Sequence, residues 1–135
     1  MIRVISVLPV MCFALNAFAG TVIYTDSAHP VSSVSSDIPV VYLDAVAKAE
    51  QNLFGQLPTD AVQAEKQARE IVGSPAFIQQ QQQIQDAYQG VVRAWSLGVK
   101  KYPAIVFDDR WVVYGTTDVD LARQHLTNVV QEAKP

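Results

Sequence analysis

Cysteine is the residue that most limits this chain. There is one, Cys12, and it lies inside an uncharged apolar run from Val4 to Phe18. Arg3 precedes the run, and Ala17-Phe18-Ala19 closes it with two small residues flanking one large one. A positive start, a short apolar stretch and a small-x-small close make up a secretory signal peptide. The run is shorter than the roughly 18–20 residues that span a bilayer, and no stop-transfer pattern follows. Cleavage after Ala19 is therefore expected rather than an uncleaved anchor. Cys12 does not mark a lipoprotein, because Met11 stands before it where a small residue is needed. Residues 20–135 are then one domain without a thiol. They can form no disulfide and offer no thiolate nucleophile. Such a domain is held by its core alone.

Charge narrows the partners. The whole chain has a net charge of −3, and Arg3 is the only charged residue of the leader. The remainder is one unit more negative. A mildly acidic domain without clustered Lys and Arg is a poor fit to nucleic acid, whose phosphates demand such clusters.

Thr21–Thr25 is β-branched and aromatic and reads as a strand. Asp26-Ser27-Ala28-His29-Pro30 breaks it, and Ser-rich loop follows to Pro39. Val40–Leu43 is a second short strand. A helix then runs from Asp44, a possible cap, to about Phe54, with Ala45, Val46, Ala49 and Leu53 on one face. Gly55 and Pro58 mark a turn. Thr59 or Asp60 caps a helix to about Val72, with Ala61, Ala64, Ala68 and Ile71 as its stripe. Pro75 suits the first turn of a long helix that ends near Leu97, with Gly98 as a left-handed cap. Phe77, Ile84, Tyr88, Val91 and Trp95 recur at helical spacing as its apolar face. The run Gln79–Gln83 reads as a solvated face of the same helix. Ala104–Phe107 is a buried-looking strand, Asp108-Asp109-Arg110 a tight turn, and Trp111–Tyr114 the return strand, closed by Gly115. Thr116 or Thr117 caps a last helix to about Glu132, with Val119, Ala122, Leu126, Val129 and Val130 inward. Trp95, Phe107 and Tyr114 are expected in the core, and Trp111 in part.

The loop between the first two strands is long enough for a parallel crossover, while the last two strands form an antiparallel hairpin. The expected fold is α/β: a mixed four-stranded sheet with flanking helices and a helical insertion between strands 2 and 3. This layout resembles the thioredoxin fold. The segment Tyr102-Pro103-Ala104-Ile105-Val106-Phe107 carries the resemblance, because thioredoxin-like proteins place a proline, usually cis, at the start of the third strand. Where redox members carry Cys-x-x-Cys, this chain has Asp26–Pro30, so the resemblance covers the fold and not the chemistry. The run Val22–Val31, Val41-Tyr42-Leu43-Asp44, Leu57-Pro58, Tyr102–Phe107 and Val113-Tyr114-Gly115 together resemble a small exported family encoded in integrating conjugative elements. That family is similar in design to TrbC-type pilus-assembly proteins of conjugative type IV secretion systems.

The resemblance implies a periplasmic, non-enzymatic accessory component of a DNA-transfer apparatus, acting by contact with other secretion-system proteins. It implies a working surface at the Asp26–Pro30 loop opposite Pro103. Thr25, Asp26, Ser27, His29, Pro30, Tyr102 and Pro103 are the candidate contact residues, where an extended peptide could pair with backbone groups. Asp26 and Ser27 equally suit a simple Asx-type turn. The alternative function is a thiol-independent peptide-handling enzyme or chaperone on the same fold. Ser27 and His29 stand too close in sequence to Asp26 to converge as a catalytic triad. His29 and His125, the only two histidines, match no metal-ligand spacing. No cofactor is expected, nor a membrane span in the exported chain.

Overall fold

Alternation of β-branched and aromatic residues in short runs, set between long amphipathic segments, produces a sheet with helices on both sides. The computed structural model describes residues 20–32 and 34–133; the expected leader lies outside them. In chain order the elements are β1 (Thr21–Thr25), β2 (Val40–Tyr42), α1 (Ala45–Phe54), α2 (Ala61–Val72), α3 (Pro75–Ser96), β3 (Ala104–Phe107), β4 (Trp111–Tyr114) and α4 (Val119–Glu132). The four strands form one mixed sheet in the order β2-β1-β3-β4. β1 and β2 are parallel, and β1–β3 and β3–β4 are antiparallel. Strand directions, element order and the three-helix excursion between β2 and β3 all agree with the expectation from sequence.

Strand alternation splits the core in two. Ile23, Ile105 and Phe107 face Ala122 of α4, with Val31, Val34, Ile38, Val119 and Leu126 around them. Tyr24 and Val106 face the other way, onto Ala94 and Leu97 at the end of α3. Ile23 and Ile105 are wholly buried, and each contributes about 1.5–3 kcal/mol by leaving water.

Local chemistry sets the helix ends. Asp60 and Ser74 cap α2 and α3 by accepting from Gln63 and Phe77 backbone N–H groups. At the end of α3, Gly98 N–H donates to Trp95 and Val99 N–H to Ala94, a Schellman close. Gly98 has the φ of +73° that this close requires. The cap of α4 corrects the expectation: it is Asp118, whose carboxylate accepts from Asp120 and Leu121 N–H. Thr116 instead accepts from the N–H of Asp118. A carboxylate two residues nearer the helix reaches its free donors, which neither threonine does.

The face of α3 is the larger correction. Phe77, Ile84 and Val91 are inward as expected, but Tyr88 and Trp95 are 50% and 82% exposed. Along the second half of the helix the buried line passes through Ala87, Gly90 and Ala94. A Cβ at Gly90 would stand 2.7 Å from a methyl of Val41 on β2. Small residues thus let the helix settle on the sheet, and the bulky neighbours turn outward. Tyr114 is also exposed, at 43%, and Trp111 at 40%. Both belong to the last strand of the sheet, where neighbours stand on one side only. Val129 and Val130 lie beyond the reach of the sheet and are exposed too. The glutamine run is on the solvated side as expected, save for half-buried Gln80.

Candidate functional site

The end of β1 builds the site. Thr25 is fully buried, and its hydroxyl donates to the carbonyl of His29 at 2.7 Å. Its side chain therefore supports the following loop rather than facing a partner. Asp26 closes the loop as an Asx turn, with its Oδ1 accepting from the His29 N–H at 3.0 Å. The same oxygen lies 2.6 Å from His29 Nδ1. A ring nitrogen at that distance from a carboxylate acts as the donor, so Nδ1 carries hydrogen and the neutral ring presents Nε2 as its acceptor. Ser27, Ala28, His29 and Pro30 are exposed, while Asp26 is half-buried.

Asp44, at the start of α1, holds this loop from the side. Its Oδ2 accepts from the Ser27 N–H at 3.2 Å, and Lys48 Nζ stands 3.5 Å away. Desolvation pushes its pKa up, but bonds from Ser27, together with Lys48, outweigh it and hold the carboxyl below the ordinary value. Asp44 does not cap its own helix with its side chain. The sequence marked it as a helix start; its role as the loop's anchor depends on a contact across 17 residues that spacing does not reveal.

Tyr102 and Pro103 come to the same end of the sheet. Tyr24 pairs with Ala104 in the antiparallel β1–β3 ladder. Pro103 and Tyr102 lead into Ala104, so they enter β3 at the end of the sheet where β1 gives way to the Asp26–Pro30 loop. The Tyr102-Pro103 peptide is cis. Tyr102 is half exposed, at 52%. Among the described residues no backbone hydrogen bond uses its N–H or C=O. The candidate residues thus lie at one end of the sheet, and four of the seven, Ser27, His29, Pro30 and Tyr102, are exposed; Asp26 and Pro103 are half-buried and Thr25 is buried.

A second surface escaped the sequence reading. Tyr88, Val92 and Trp95 form an exposed apolar stripe on α3. Beside it an open groove of 790 Å³ runs between α3 and the sheet, lined by Val22, Tyr24, Pro39, Val41 and Arg93. Burial raises the Tyr24 phenol, opposed by Arg93 and assisted by Asp109. Arg93 and Asp109 are themselves paired, which ties α3 to the β3–β4 turn. Sequence periodicity places Tyr88 and Trp95 on a core face with Val91, and does not single out Val92.

Among the described residues no group of three or more His, Cys, Asp or Glu could hold a metal ion. No helix among them is long and apolar enough to cross a membrane.

A four-stranded mixed sheet with helices on both faces defines this as a mixed α/β domain. The chain belongs to the family described as "Protein of unknown function (DUF1525)", whose model matches residues 18–132. No curated protein and no solved structure matches it.

Proposed function

We propose that this chain is a thioredoxin-like domain that works in the periplasm as a non-enzymatic assembly component. It serves the type IV secretion apparatus of an integrating conjugative element and grips another protein of that apparatus. The observation that carries the reading is the corner where Asp26–Pro30 meets Tyr102-Pro103. That corner lacks sulfur, holds a rigid turn and offers the unbonded backbone of an exposed Tyr102. Extended peptide paired to such a backbone gains affinity from main-chain bonds and selectivity from flanking side chains. His29, Pro30 and Tyr102 are the flanking groups.

One observation favours the enzymatic alternative: the Asp26–His29 pair orients an imidazole as a base. A nucleophile for it is the missing part. Ser27 is its nearest hydroxyl in sequence, and Ser27 is bonded to Asp44 instead. Contact without catalysis is the stronger reading.

The test is in a donor cell carrying the intact element. His29→Ala and Tyr102→Ala are each expected to lower DNA transfer and to weaken crosslinking to an apparatus protein, with the protein level unchanged. Transfer and crosslinking at wild-type levels in both variants would exclude this function for the corner.

A further inference from the structure

The sheet has two open sides, and they differ in protection. β2 is three residues long and follows directly on Pro39, which suits a guarded edge. β4 is Trp-Val-Val-Tyr, with no charge and no proline. Its ladder to β3 is unbroken, with no bulge. Charges, prolines and bulges are the usual means by which an edge strand avoids pairing with another chain.

The backbone phase of this edge is fixed. Gly115 N–H donates to the carbonyl of Pro103 at 2.8 Å. Antiparallel ladders alternate, so Val113 and Trp111 also bond to β3, and the N–H and C=O groups of Val112 and Tyr114 point out of the sheet. The opposite side of β3 agrees. Asp108 N–H donates to Gly20, which assigns Val106 and Ala104 to β1 and leaves Ile105 and Phe107 to β4.

We propose that this edge is a self-association surface, on which β4 of a second copy pairs antiparallel about a two-fold axis at Val113. That axis sets Val112 of each copy against Tyr114 of the other, so all the outward groups are joined. An axis at Val112 would set Tyr114 against Arg110, whose N–H is already bonded to Phe107. An axis at Tyr114 would need Thr116 in the strand, beyond Gly115 with its φ of +89°. Side chains fit the same axis. Val113 meets Val113, and the ring of Trp111 lies opposite the bare Gly115 of the second copy. Charge fits as well: the strand carries none, and Arg110 at its start is brought toward Asp118 beyond the end of the other. A closed two-fold pairing of this kind stops at a dimer with eight strands in one sheet.

Sedimentation of the purified full-length protein, as its producing cell processes it, tests the pairing together with amide hydrogen exchange by NMR. The expected result is a concentration-dependent dimer in which the amides of Val112 and Tyr114 gain protection and that of Val113 does not change. Trp111→Lys alters only an exposed edge side chain and is expected to raise the dissociation constant at least about tenfold. Val112→Pro removes an outward donor, though it also alters a side chain packed beside Tyr24 and Val106; with its fold checked by circular dichroism, it is expected to do the same. A protein that stays monomeric to about 1 mM would overturn the proposal. So would a dimer that leaves Val112 and Tyr114 exchange unchanged, as one built on Tyr88, Val92 and Trp95 would. A dimer that survives Trp111→Lys would overturn it too.

Discussion

Single side chains set the acid and alkaline behaviour of this domain. Asp44 has a carboxyl held below its ordinary value of 3.8 when folded. A depressed carboxyl stabilises the fold above its unfolded-state value and loses that contribution as pH falls through the folded one. Asp44→Asn is therefore expected to be less stable than the parent at pH 6, with the difference shrinking as pH falls below 3.8. Urea midpoints across that range check the convergence. Tyr24 works at the other end. Burial raises its phenol above the ordinary 10.0, so its contribution is full below that value and is lost as pH rises through the folded one. Ultraviolet titration of the native protein is expected to show a late phenol that Tyr24→Phe removes. Neither property was open to sequence reading. Tyr24 was visible as a strand residue, but its burial follows from where α3 lies. Asp44 was visible as a cap, but its partner Ser27 stands in a different loop.

Helices and turns carry their own tests. Gly90 lets α3 lie against Val41, so a larger side chain there must push the helix off the sheet. Gly90→Val is expected to lower stability by about 1–3 kcal/mol, the range for overpacking a close contact. Thermal and urea unfolding would register it, and an unchanged midpoint would mean that Val41 turns aside freely. The β3–β4 turn holds Asp108 and Asp109 both at a φ of 52°. Left-handed backbone costs an L-residue roughly 1–2 kcal/mol, of which glycine's extra entropy returns a part. Asp108→Gly is expected to stabilise the protein by about 0.5–1 kcal/mol, while Asp109 is kept for its pair with Arg93. The element scale is where sequence was most informative. Pro75, Gly98, Asp60 and the paired aspartates each announce a boundary by local chemistry, and each boundary stands where that chemistry puts it. The inward face of α3 was misread because hydrophobicity alone ranks Trp95 above Ala94. Closeness of approach ranks them the other way.

At the scale of the whole molecule, direction and order of strands followed from loop lengths and the hairpin. The site corner was proposed only from the resemblance, since nothing local says that the chain will enter β3 at the end where β1 stops. The exposed stripe on α3 and the bare edge of β4 came from the packing. One feature of the sheet also governs how the chain can be made. β1 is first in order yet stands in the middle, with β2 on one flank and β3 on the other, and Thr21 pairs with Phe107. Closing so wide a loop is slow, because conformational freedom is lost before contacts compensate. A chain cut after Pro103 is expected to show helix at most and no cooperative unfolding, by circular dichroism. During synthesis the opening strand must wait, unpaired on its inner side, until almost everything else has emerged. Delay of that kind keeps a polypeptide threadable, the state that the proposed export would require.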